Sequence, residues 1–209
     1  MEINYVCSLG TLCHTASFMQ RNNIKNVSYP FDWIFSNHQN IMHCIETNFS
    51  VFLDKNYYKY ISESECGHYY YDQSLCNSMW RHHNPLTNDE HYLYINRCIN
   101  RFQELLKFKE TKLFIMTYVN FDKMYENIMM DILDFNNKFS NYASNYIMLV
   151  IFQIKKNTNS HIFKNIGNIH FLQLHTTSDS IGTYFYDETD NIYLDNIIKT
   201  KYNFNLLPI

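Results

Sequence analysis

Four runs of apolar, β-prone residues constrain this chain more than any other feature: residues 3–9, Leu113 to Val119, Tyr146 to Ile154 and Ile169 to Leu174. They are apolar throughout rather than alternating, so each needs cover on both faces. Helical patterns separate them. Asn88 can cap a helix with Asp89 and Glu90 in its first turn and Tyr92, Ile95, Ile99, Phe102 and Leu106 along one stripe. Tyr125, Ile128, Ile132, Phe135 and Phe139 recur at helical spacing between the second and third runs. Leu194, Ile197 and Ile198 mark a last helix, with Asp190 as its expected cap. The alternation predicts an α/β fold in three layers, a mainly parallel sheet of about four to five strands with helices on both faces. Residues 29–85 fit this scheme poorly and read as a helical and irregular insertion. At 209 residues there is room for one complete core, so residues 1–209 are expected to form a single α/β domain.

A parallel sheet presents ligands at the carboxyl ends of its strands. The segment Ser8-Leu9-Gly10-Thr11-Leu12-Cys13 ends the first run there. Gly10 allows a tight turn, Thr11 is the expected cap of the following helix, and Cys13 falls in that helix's first turn. Free backbone N–H groups and the positive end of the helix dipole favour thiolate over thiol at such a position. His175 follows the fourth run on the same rim.

Several function classes fall away on composition. A net charge of −3 with 18% charged residues gives no support for nonspecific nucleic-acid binding. The longest apolar stretch, Tyr146 to Ile154, is too short to span a bilayer, and the N-terminus has no basic, apolar leader. Six scattered cysteines without a CxxC pair read as reduced thiols in a cytoplasmic setting. No cofactor or metal is expected. Gly10 stands without a GxGxxG or GxxxxGK[ST] loop, and the adjacent His82 and His83 cannot easily bind one tetrahedral zinc.

A thiolate nucleophile needs a base within hydrogen-bond reach. The candidates are His82 and His83, in Met79-Trp80-Arg81-His82-His83-Asn84-Pro85, then His175; His14 is too close in sequence to Cys13 to rank highly. Asp32, between large aromatics in Tyr29-Pro30-Phe31-Asp32-Trp33, is a candidate to orient a histidine or to cap a helix. Arg97 and Arg101, four apart on one helix face, are candidates to bind an anionic group or to pair with Asp32.

Ser8-Leu9-Gly10-x-x-Cys13-x-x-Ala16, the Tyr29 to Trp33 segment, the double histidine and Arg97-x-x-x-Arg101-Phe102 together resemble a family of proteins labelled papain-like cysteine peptidases, found in bacteria, protists and giant DNA viruses. The scarcity of Gly and Pro and the abundance of Asn and Tyr resemble a member from a mimivirus-type giant virus. The resemblance implies Cys13 as nucleophile, His83 or His82 as base and Asp32 as a third member. It also implies a papain-like fold, with the histidine on an antiparallel β half, where the hydrophobic pattern gives a parallel sheet. The expected function is a cysteine-dependent hydrolase or acyl transferase, with backbone N–H groups from Gly10 to Cys13 holding the oxyanion and Ser8 and Gly10 on the substrate side. The substrate is a peptide, acyl or glycan group. Two alternatives stand beside it: a glycan-modifying transferase holding an anionic donor through Arg97 and Arg101, and a non-catalytic virion or host interaction protein.

Overall fold

A computed structural model of the protein describes residues 2–72, 78–123 and 126–209. Along the chain run β1 (Glu2–Ile3), β2 (Tyr5–Ser8), α1 (Cys13–Arg21), α2 (His38–Glu46), α3 (Ser50–Leu53), β3 (Tyr58–Tyr60) and β4 (Cys66–His68). There follow α4 (Asp89–Lys107), β5 (Lys112–Phe121), α5 (Glu126–Phe139), β6 (Tyr146–Lys155), β7 (Ser160–Ile166), β8 (Ile169–Thr176), α6 (Glu188–Lys201) and β9 (Asn203–Phe204). Tyr125 of the α5 stripe and Cys76, one of the six cysteines, lie outside the described residues.

Five strands form one sheet in the order β2-β5-β6-β8-β7. All neighbours pair in parallel except β7, which pairs antiparallel with β8 at the edge. The fold is therefore α/β with a mostly parallel sheet. The central strands explain its stability. From Leu113 to Met116 and from Met148 to Phe152, nearly every side chain is removed from water. Each fully buried aliphatic side chain contributes about 1.5–3 kcal/mol. Alternate residues serve two cores. Phe114, Met116, Met148 and Val150 pack with α2, α4 and α5, whereas Leu113, Ile115, Leu149 and Ile151 pack with α1 and α6.

Several local expectations give way to tertiary demands. The first run is broken at Asn4, whose side chain accepts from the Thr111 N–H. The structure assigns the cap of α1 to Leu12 rather than Thr11, whose hydroxyl donates to the Thr117 carbonyl at 2.6 Å. Asp187 caps α6 in place of Asp190. Asp190 is fully buried and accepts from the N–H and hydroxyl groups of Thr177 and Ser178. Those four donors together hold its carboxyl below the usual range, against the opposing effect of burial. Asn88 caps α4 as expected, accepting from the N–H groups of Glu90 and His91. The 29–85 region holds α2, α3 and the β3–β4 hairpin, with irregular chain between them. His82 and His83 lie in irregular chain between Trp80 and α4, on no antiparallel β half. The papain-like arrangement implied by the resemblance is not the one this chain adopts.

Asp32 ties this region to the core. Its side chain is 1% exposed, its Oδ2 lies 2.7 Å from Lys25 Nζ, and the same oxygen accepts from the Tyr29 N–H at 3.0 Å. Arg101 stands nearby and donates to the Ser28 carbonyl at 2.7 Å. Burial raises the Asp32 carboxyl despite the lysine. A charge this deep is tolerable only with its partner in place. Lys25→Met is therefore expected to cost about 3–5 kcal/mol in urea unfolding, because it strands the carboxylate. The double variant Lys25→Met/Asp32→Leu should regain most of that loss; additive losses would show that the two residues are not coupled.

Candidate active site

The chain leaves β2 and β5, neighbours in the sheet, in opposite directions. After β2 it enters α1, which packs on the α6 face; after β5 it enters α5, which packs on the α4 face. In open α/β sheets ligands bind beyond the carboxyl ends of strands whose connections diverge in this way; here the 177–186 loop crosses that rim, with Ser180 bonded to His14 and Asn120. Cys13, the first residue of α1, sits there and is 7% exposed. Leu12 has no side-chain acceptor to offer and the first turn of α1 has no acidic residue, so the helix N-terminus keeps its positive end uncompensated.

The turn beneath Cys13 is closely fitted. The fully buried Ser8 hydroxyl accepts from the Gly10 N–H at 3.1 Å, and the Thr15 hydroxyl donates to the Gly10 carbonyl at 2.8 Å. Gly10 has φ +79, and a Cβ there would lie 2.1 Å from Ser36 Oγ. The Ser36 N–H in turn donates to the Thr11 carbonyl at 3.1 Å. Gly10→Ala is expected to destabilise the fold by about 1–3 kcal/mol, from both the backbone conformation and the overlap. Adding Ser36→Ala should recover only part of this in denaturant melts, since the overlap is relieved and the backbone conformation is not.

The double histidine goes elsewhere. Phe35 N–H donates to the Met79 carbonyl, and Ile34 bridges Trp80 in antiparallel fashion. With Ser36 on Thr11, the antiparallel direction carries the chain after Trp80 away from Cys13. His82 ends exposed. His83 stacks on Tyr94 at 4.8 Å and lines a small pocket with Tyr29, Pro30, Trp33 and Cys98. That pocket has about 10 Å³ of free space, room for one water. Burial, and secondarily the neighbouring His91 and His82, lower the His83 imidazole to about 4.

Asp32 faces Lys25 rather than a histidine or a helix N-terminus, and Arg101 reaches Ser28 rather than Asp32. Arg97 is exposed on α4, so the two arginines do not converge on that rim. His175 is three strands from β2, about 14 Å at ~4.8 Å per strand. Its neighbours Leu172 and Leu174 face α1 and α6, so its own side chain leaves by the other face, where it meets Ser160 Oγ at 2.7 Å and Gln173 Nε2 at 2.8 Å. The strand pattern placed His175 on the right edge but could not say which face it takes. Ser8, Gly10 and Cys13 therefore share one turn, while Asp32 faces Lys25, Arg101 the Ser28 carbonyl, His83 the Tyr94 ring and His175 Ser160.

Two histidines carry more structure than their sequence context suggests. His14 is wholly buried, with Nδ1 2.7 Å from Ser180 Oγ and its ring 4.6 Å from Phe185. Ser180 also exchanges two hydrogen bonds with the Asn120 side chain, so the 177–186 loop is fastened over the rim at both α1 and β5. His38 opens α2 and bonds Tyr118. The only sequence signal for His38 was Asn37, which caps α2 by accepting from the Asn40 N–H.

The family model described as "Putative papain-like cysteine peptidase (DUF1796)" matches residues 4–155. The chain belongs to that family. The matched stretch runs from β2 through β6 and includes Cys13, Asp32, His82, His83, Arg97 and Arg101; His175 and the 177–186 loop lie beyond it. No curated protein and no solved structure matches the chain. No helix among the described residues is long and apolar enough to cross a membrane.

Burial lowers the His14 imidazole to about 3, from an ordinary 6.5. The unfolded chain therefore takes up this proton first, and stability falls as the pH drops from 6.5 towards 3. At pH 5 the loss from His14 alone is about 2 kcal/mol. His14→Gln should flatten the pH dependence of urea midpoints between pH 7 and 5 relative to wild type; an unchanged slope would assign the acid sensitivity to other groups.

Proposed function

We propose that this protein is a cysteine-dependent hydrolase or acyl transferase, with Cys13 as the nucleophile and a peptide bond as the substrate that the family's description names. The observation that carries the reading is the place of Cys13: first residue of α1, whose N-cap Leu12 makes no side-chain cap bond, on the rim where α1 and α5 leave opposite faces of the sheet. A helix N-terminus favours a thiolate over a thiol, and in this reading backbone N–H groups of the first turn of α1 serve as donors for an oxyanion. Attack on an acyl carbon would form a thioester and expel the amine or alcohol with a proton; water or a second acceptor would then release the acyl group and restore the thiol.

In this reading His83, or the adjacent His82, takes and returns the proton. His83 is neutral at pH 7, the form a base requires, and its low value makes it a weak one. His83 enters this reading on the family's motif and not on its position, because the Ile34–Trp80 bridge directs the chain after Trp80 away from Cys13. The thiols of Cys7, Cys44, Cys66 and Cys98 are buried and unoxidised, which agrees with a reducing, cytoplasmic setting.

A second reading has its own observation. Tyr57, Tyr60, Tyr69 and Tyr70 are exposed around the β3–β4 hairpin, an aromatic surface of the kind that protein partners cover. An interaction protein would need this surface and not Cys13.

Labelling with iodoacetamide, followed by peptide mapping, separates the two. Cys13 is expected to react fastest of the cysteines, Cys13→Ala to abolish that fast phase, and His83→Gln to slow it at least tenfold if His83 is the base. Equal reactivity of Cys13 and the buried Cys98 would sink the nucleophile reading. A full rate in His83→Gln and His82→Gln would leave the helix alone as the activating group.

A further inference from the structure

Cys13 is 7% exposed, and an acyl carbon reaches a thiol so covered only if what lies over it moves. The 177–186 loop crosses the rim at that point. We propose that residues 179–186 form a hinged hairpin that covers Cys13 and is latched shut by Ser180. The purpose of such a cover rests on the reading of Cys13 as a nucleophile; its construction does not.

The segment is built as a unit. The Tyr186 N–H donates to the Asp179 carbonyl at 3.0 Å, Ser180 bridges Phe185 in antiparallel fashion, and the Ile181 N–H donates to the Tyr184 carbonyl at 2.9 Å. Gly182, at φ +100, turns the tip in open space. A hairpin paired this closely moves as one body about its two ends. Those ends are clamped together. The Asp187 N–H donates to the Ser178 hydroxyl at 2.8 Å, while Asp190 accepts from the N–H groups of Thr177 and Ser178.

Beyond this base, Ser180 fastens the hairpin to both sides of the rim. Its Oγ lies 2.7 Å from Nδ1 of His14, the residue that follows Cys13 in α1. Its backbone exchanges two hydrogen bonds with the Asn120 side chain in β5, at 2.8 and 2.9 Å. A strap held on both sides of a rim lies across it. Phe185 adds a ring 4.6 Å from that of His14 and two hydrogen bonds with Asn191 at the start of α6. Asp179 adds a solvent-exposed pair with Lys155, which holds little. The latch can be opened without touching Cys13. Asn120 has φ +61, a conformation natural to glycine, so Asn120→Gly removes both of its bonds to Ser180 and keeps the backbone.

Full-length wild type, Asn120→Gly and Ser180→Ala are compared at pH 7 by iodoacetamide labelling with peptide mapping and by amide hydrogen exchange. In Asn120→Gly, Cys13 is expected to label at least tenfold faster, with the buried Cys44 and Cys98 at wild-type rates. The Phe185 N–H, whose acceptor on Asn191 the variant leaves in place, is expected to exchange faster by the same factor, because the hairpin opens as a unit. Ser180→Ala loses the His14 contact alone and should show a smaller rise of the same kind. An unchanged Cys13 rate in both variants, or faster Phe185 exchange without faster Cys13 labelling, overturns the cover. If Cys44 and Cys98 also label faster in Asn120→Gly, that variant has loosened throughout and Ser180→Ala decides. The cover is read from the ratio of rates between proteins, and the nucleophile from the pH dependence of either rate. A Cys13 that labels tenfold faster in Asn120→Gly with the pH profile of an ordinary thiol supports the cover and ends the nucleophile reading.

Discussion

The Asp32–Lys25 pair is the constraint on which the unusual part of this fold depends. A carboxylate that is 1% exposed cannot be left without a cation, and the cation comes from the stretch after α1. Between them the two residues fix the path from α1 to the aromatic Tyr29–Trp33 segment. Arg101 holds the Ser28 carbonyl from α4, so two distant parts of the chain meet near one buried charge. Phe31 then packs among Phe49, Phe52 and Phe102, which fastens the otherwise irregular 29–85 region to the core. The family's most recognisable acidic residue thus pairs with a lysine in the core.

Sheet topology sets the rim around Cys13. α1 and α5 leave neighbouring strands towards opposite faces, and the 177–186 loop crosses the rim between them, with Ser180 bonded to both His14 and Asn120. The Gly10 turn places the start of α1 beneath that loop. On the far part of the rim the hydrogen bonds of Asn120, Gln153, Thr176 and Asp190 hold the 177–186 loop in place. Ile181, Tyr184 and Tyr186 project from that loop into solvent.

Much of this fold was legible in the residues. Continuous apolar runs announced β5, β6 and β8, and the Asn88 capping signal marked the start of α4, because local patterns and burial agree there. Where they disagree, the reading failed. β7 alternates weakly and is mostly exposed, so it carries no apolar run to reveal it. Lys112 is wholly buried at the head of β5, donating to the Phe108 and Glu110 carbonyls at the end of α4, a role no lysine advertises. Thr11 and Asp190 have the chemistry of helix caps, yet the Thr117 carbonyl and the Thr177–Ser178 backbone claim them first.

The sequence by itself determined the class of fold, the parallel core and the position of Cys13 at the turn from strand to helix. Those depend on hydrophobic period and on glycine, which act within a few residues of themselves. Only the tertiary structure decided which charged and imidazole groups meet. Strand order set His175 three strands from β2 and alternation along β8 turned it to the other face, an antiparallel bridge turned His83 away from Cys13, and packing of α2 on α5 brought His38 opposite Asp131. The physical reason is that side-chain encounters between distant elements depend on sheet order, face and direction, and no local pattern in the residues encodes these.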